Sequence, residues 1–395
     1  MFRLRQNLGE DYSPLYFLAA LGAGGLAISF FMYLMFMTPH PTTPIPTWDS
    51  VTAVFTHSSL ALQVLAGIAL FGIAALSILH IRLLVWNIAE YRQFKQTSAY
   101  ETLRTGNAEV QLMAIPLTLA MSVNVSFILG ALFVPGLWNV VEYLFPVAIV
   151  AFAAIGIYGI RTFVDFFSRI LVHGQFDCSR NNNLSQMLAI FAFAMIGVGF
   201  SAPAAMSTNT LTSGIGMILS LLFLSGSGVL AFTKMVLGFR SMLEHGIDKE
   251  GSASLWIIIP IITVSGIALY RLGMAMHHNF SMHIERIQML VFFSILISIQ
   301  IMFAVIGYSV MKKLGYFSTY ISGEGKSKSS FSLICPGVAA FVLAFFFIHI
   351  GLVGNGLLEK NSVAYWVFLL PLVALQFKTL ATLFQLNKKL LARIS

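Results

Sequence analysis

Charge is what this sequence has least of. Asp, Glu, Lys and Arg make up 10% of its 395 residues, against about 25% in soluble domains. That scarcity excludes an ordinary soluble enzyme. Cysteine is nearly absent: Cys178 and Cys335 are the only two. Two thiols build no disulfide framework, and nothing points to an oxidising compartment. Catalytic signatures are missing as well. There is no GxSxG, no HExxH, no phosphate loop and no pair of catalytic carboxylates, so no enzyme is expected. No soluble segment carries a basic patch with interleaved aromatics, so no nucleic acid is expected as a partner. What is abundant is apolar: 58% of the residues, with a mean hydropathy of +0.85. Such a chain is neither disordered nor soluble; its partner is the lipid bilayer.

Ten mainly apolar runs are long enough to cross that bilayer. They cover about 13–37, 59–87, 108–133, 139–164, 184–206, 211–237, 253–274, 287–312, 330–353 and 363–386. Several exceed the length needed, so tilt or cytosolic extension is expected. The first run is long and has no small-residue cleavage site, so it is expected to be a retained span rather than a signal peptide. The ten form one transmembrane domain over 1–395. The cations give its orientation. Of 23 Lys and Arg, 20 lie in the N-terminus, the C-terminus and the loops after even spans. Only Arg271, Arg286 and Lys360 lie opposite. Positive-inside bias predicts both termini in the cytoplasm and an even number of spans. The net charge of +8 is thereby largely topological. The plasma membrane, or the inner membrane in a bacterial cell, is the expected location.

Odd and even spans differ. Every odd span has a proline: Pro14, Pro116, Pro203, Pro260 and Pro336. Odd spans are also rich in small residues, as in Gly22-Ala23-Gly24-Gly25. Proline deletes a backbone hydrogen bond and kinks a helix. In lipid the freed carbonyl needs protein or water, and small residues let backbones approach. The pattern predicts an all-α membrane protein of five helical hairpins. Kinked odd helices form an inner pore, and long even helices form an outer ring. Odd-helix N-termini would ring the cytoplasmic mouth with the positive ends of their dipoles. With few carboxylates inside the spans, that favours an anion.

The polar groups inside odd spans are small and neutral. Ser122, Asn124, Ser126, Thr263 and Ser332 are pore-lining candidates. Each either replaces part of an anion's hydration shell or bonds a neighbouring helix or an i−4 carbonyl. Arg271 and Arg286 are candidates for a cationic outer vestibule. His277, His278 and His283 share their loop, with His40, Asp49 and His57 in the other long outer loop. Their spacing matches no metal motif. His80 and His349 lie at opposite sides of the membrane with no second pair, so no haem is expected either. Neither a metal nor a cofactor is called for.

Three segments carry a family likeness. They are Ser13-Pro14-Leu15-Tyr16-Phe17 running into Gly22-Ala23-Gly24-Gly25, Ala253-Ser254-Leu255-Trp256-Ile257-Ile258-Ile259-Pro260, and Phe331-Ser332-Leu333-Ile334-Cys335-Pro336. With the span pattern, they resemble the tellurite-resistance/dicarboxylate transporters, a family that includes slow anion channels. The resemblance implies five hairpins around a central pore and a trimer with one pore per protomer. In the channel branch a ninth-helix phenylalanine blocks the pore. Here Cys335 falls in or near that slot, so the gate candidates are Cys335, Phe331 and Phe341.

Three functions follow as expectations. The first is an anion channel or transporter for small anions such as chloride, nitrate, sulfite or a dicarboxylate. The second is a proton- or sodium-coupled carrier for an organic acid or toxic oxyanion, titrating at Glu142, Arg271 or His349. The third is a membrane redox or thiol sensor that uses Cys335.

Overall fold

A computed structural model describes residues 3–173 and 182–393. Cys178 and Arg180 lie outside them. Twelve α-helices follow one another: α1 (Phe17–Met37), α2 (Trp48–His57), α3 (Leu60–Phe94), α4 (Ser98–Thr105), α5 (Ala114–Phe133) and α6 (Val141–His173), then α7 (Leu188–Met206), α8 (Thr210–His245), α9 (Ile258–Asn279), α10 (Arg286–Lys313), α11 (Ile334–Phe346) and α12 (Val363–Leu386). Among the described residues there is no β-sheet. All but α2 and α4 belong to ten segments long and apolar enough to cross a membrane.

Those ten segments fall into two burial classes. In the odd ones, built on α1, α5, α7, α9 and α11, 61–94% of the most apolar stretch is buried. In the even ones, built on α3, α6, α8, α10 and α12, the share is 17–44%. The even helices turn large apolar side chains outward, such as Phe71, Tyr143, Phe232 and Val363. In water such a surface would aggregate; against acyl chains it is matched. Three of the even helices are longer than a bilayer's hydrocarbon core is thick. α3, α6 and α8 have 35, 33 and 36 residues, or about 50 Å each at 1.5 Å per residue.

The prolines do something other than kink the middle of a helix. Each odd segment opens with a 3₁₀ stretch that converts into the α-helix: Pro14–Tyr16, Asn107–Met113, Ser185–Met187, Gly251–Ile257 and Lys328–Leu333. Pro116, Pro260 and Pro336 are each the third residue of the α-helix that follows. Pro14 opens its 3₁₀ turn, and only Pro203 sits in a helix interior. Four of the five prolines expected to kink their helices thus stand at or before the first α-turn, and one stands inside its helix. Proline is tolerated in a first turn, where its missing N–H is least needed. There it ends the α-hydrogen-bond ladder and leaves the preceding residues in the tighter 3₁₀ form.

Polar side chains on the outer helices tie them to the buried ones. Asn87 of α3 accepts from Tyr12 Oη (2.9 Å) and donates to the Tyr16 carbonyl (3.1 Å). Ser220 and Ser227 of α8 donate to the carbonyls of Gly197 and Ile190 on α7 (2.8 and 3.1 Å). Gln300 of α10 donates to the Ile259 carbonyl of α9 (3.1 Å). Gln376 of α12 donates to Ser29 Oγ (2.8 Å) and accepts from Tyr33 Oη (2.7 Å), both on α1. Gln63, by contrast, bonds only its local Ser58 carbonyl (3.0 Å).

The two ends of the chain meet. Arg5 N–H donates to the Leu391 carbonyl (2.9 Å), and Arg393 N–H to that of Arg3 (2.8 Å). Both ends thus lie on one side of the helical layer, as an even number of crossings requires.

Candidate functional site

Two cavities lie among the buried helices. The lower one, about 430 Å³, sits on the side of the chain termini. All five 3₁₀ stretches contribute to its wall, through residues such as Leu15, Gln111, Gln186, Ser254 and Ser332. The upper one, about 170 Å³, is lined by the α-helical parts of the same five segments, with side chains of α6 and Ile45 completing it. The walls of both cavities include Phe191, Pro260 and Cys335. These three form the partition between them.

The partition's position follows from the local structure. Phe191 is the fourth residue of α7, Pro260 the third of α9 and Cys335 the second of α11. All three lie in the first α-turn, just past the 3₁₀ stretch. There the backbone changes from 3₁₀ to α pitch.

The upper cavity is walled by Phe31, Met32, Phe127, Phe152, Met195 and other apolar side chains. Three polar side chains reach it: Asn124, Thr263 and Arg271. The Thr263 hydroxyl is engaged, facing the carbonyls of Ile259 (3.0 Å) and Ala339 (3.1 Å) and accepting from Gln300 Nε2. Among the described residues Asn124 Nδ2 has only the Met195 sulfur, at 3.9 Å. Arg271 donates through one nitrogen to the Val198 carbonyl at 3.3 Å. Among the described residues no carboxylate pairs with it. It lies 13 residues beyond Ile258, about 20 Å up α9.

The lower cavity has a different character. Its charged lining residues are Asp248 and Glu250. Asp248 accepts from the Gly251 N–H (2.6 Å) and Glu250 from Ser327 Oγ (2.6 Å). Among the described residues no Lys or Arg is in its wall. Several of the cations expected at a basic mouth ride on the long outer helices instead. Arg169 of α6, for example, is held by buried Glu109 at 2.7 Å.

Of the pore-lining candidates, Asn124 and Thr263 line the upper cavity and Ser332 the lower. Ser122 and Ser126 line neither. Ser122 Oγ lies between His80 Nε2 (2.8 Å) and the Thr118 carbonyl (2.9 Å) and gives its one proton to one of them. Ser126 is exposed and returns its proton to the Ser122 carbonyl. Of the gate candidates, Cys335 stands in the partition. Phe331 packs edge-on against Tyr16, and Phe341 stacks on Phe345 beside Tyr33. Both are fully buried and neither lines a cavity. Of the vestibule pair, Arg271 is in the cavity wall and Arg286 is exposed near the Gly354 carbonyl (3.5 Å).

Phe191 was not foreseen. The available signal was the repeat itself: the fifth span has no proline at the third helical position, and a bulky aromatic follows directly. Of the three expected titrating groups, Arg271 lines the upper cavity and the other two line neither cavity. His349 is held between the Phe345 carbonyl (2.8 Å) and Tyr365 Oη (2.9 Å), and Glu142 between Ser207 and Thr208. Among the described residues no group of three or more His, Cys, Asp or Glu could hold a metal ion.

No family model matches this chain, and no curated protein matches it significantly.

Proposed function

We propose that this protein is a membrane channel or transporter for small anions. The five odd segments surround a passage, and the even helices form its lipid-facing ring. The two cavities are successive parts of that passage, closed between them by Phe191, Pro260 and Cys335. The observation that carries the reading is the shared wall: all five odd segments line both cavities, in the same order of 3₁₀ below and α above. The half-buried guanidinium of Arg271 in the upper cavity wall, with no carboxylate beside it among the described residues, supports an anion over a cation. The resemblance to the tellurite-resistance/dicarboxylate transporters points the same way and adds a trimer of independent passages.

The experiment is anion flux into liposomes holding the purified protein, across chloride, nitrate, sulfite and carboxylates. Flux that rises with protein content is expected. No flux of any of these anions, with the protein shown to be folded, overturns the reading.

A further inference from the structure

The upper cavity has a combination of properties that narrows what can occupy it. Its volume, about 170 Å³, is close to the roughly 150 Å³ of an engineered apolar cavity that takes up benzene. Its walls are aliphatic, aromatic and thioether. Against them stand one cation and one under-used amide. Arg271 has five N–H donors, of which one is committed to the Val198 carbonyl. Asn124 is the eleventh residue of α5 and Arg271 the fourteenth of α9. Counted from their helix starts they differ by three residues, about 5 Å along the axis. Both face the same space.

Resting on the anion reading above, we infer that this cavity is a binding site for one organic monoanion with an apolar body of about benzene size. Its carboxylate sits on Arg271, with Asn124 Nδ2 as a second donor, and its body lies against Phe31, Phe127, Phe152 and Met195. A neutral occupant of the same shape leaves the guanidinium unpaired in an apolar enclosure. A dicarboxylate places its second charge where no second cation exists. A small inorganic anion gives up its water to walls that return almost no hydrogen bonds. A charge-assisted bond at one end and apolar contact at the other satisfy both kinds of surface.

Benzoate is the direct probe. Isothermal titration of the purified full chain in detergent is expected to show one benzoate per chain. Arg271→Met should weaken it about tenfold or more, the equivalent of one charge-assisted hydrogen bond. Arg271→Lys should retain part of the affinity. Benzyl alcohol and succinate should both bind at least about tenfold more weakly than benzoate. Ala202→Leu, which adds bulk to the same wall, should weaken benzoate more than formate. If Arg271→Met fails to fold, the ligand series on the native chain and on Ala202→Leu decides the matter. Equal benzoate affinity in folded Arg271→Met, or succinate or benzyl alcohol binding as tightly as benzoate, overturns the inference. The two readings separate cleanly. Benzoate binding without anion flux overturns transport and keeps this site, whereas flux without benzoate binding overturns the site and keeps transport.

Discussion

Phe191 is the side chain on which the proposed closure most depends. It is buried against both cavities, so Phe191→Ala joins them into one space. The expected outcome is faster anion flux in liposomes, at a stability cost of about 3 kcal/mol, the low end for truncating a buried Phe whose surroundings are already open. Unchanged flux would remove Phe191 from the closure. Cys335→Ala, a smaller truncation in the same partition, should raise flux less. Glu109 tests a different force. Its buried carboxylate accepts from Arg104 (2.8 Å) and Arg169 (2.7 Å). Glu109→Ala leaves two cations facing each other without their anion. Because the arginines stay partly exposed, the cost is about 1–3 kcal/mol rather than that of a fully buried pair. A lowered melting temperature in detergent, with flux preserved, is the expected result. Gly24 is required by close approach: a Cβ there would lie 2.7 Å from Met121 Cγ and 2.9 Å from His80 Nδ1. Gly24→Val should therefore push α1 away from α3 and α5, and lower the melting temperature.

Among the helices, the recurring junction from 3₁₀ to α is the feature with the clearest consequence. Pro336→Ala restores an N–H that can bond the Ser332 carbonyl, four residues back. The α-helix α11 is then free to extend into 328–333, which forms part of the lower cavity wall. Slower amide exchange across 328–335 is expected, with altered flux and a stability change within about 1 kcal/mol. Unchanged exchange would mean that the 3₁₀ stretch is set by packing and not by proline. The prolines were visible in the sequence, but their position within the helices was not. Hydropathy marks where a span lies, and 3₁₀ and α turns are equally apolar. The same ambiguity hid α2 and α4. Their signals were polar and local: Thr47 N–H donates to Ser50 Oγ (2.8 Å), and Thr97 Oγ accepts from Tyr100 N–H (3.4 Å).

For the molecule as a whole, the pairing of the chain ends is the strongest constraint. Reporter domains fused to the N- and C-termini should report the same compartment, and the cation distribution predicts that it is the cytoplasm. Opposite compartments would break the count of ten. The burial contrast between the two helix classes also has an expected readout. Lipid-soluble labels should modify Phe71, Tyr143 and Phe232 on α3, α6 and α8, and should spare the buried face of α7.

Span number and the alternation of two helix classes both followed from the sequence. They depend on quantities summed along a single segment: apolar length and small-residue content. Much of the site depended on something else. Asn124, Thr263, Ser332 and Cys335, expected in the pore, and Arg271, expected at its outer rim, all line one or other cavity. Yet Ser122 and Ser126, each two residues along the same helix from Asn124, line neither cavity. Phe331 and Phe341 were plausible plugs by type and packed into the core instead, while Phe191 took the partition. Which face of a helix looks inward is fixed by its rotation against neighbours distant in sequence. A window along one chain segment holds no information about that rotation, so only the tertiary structure decided it.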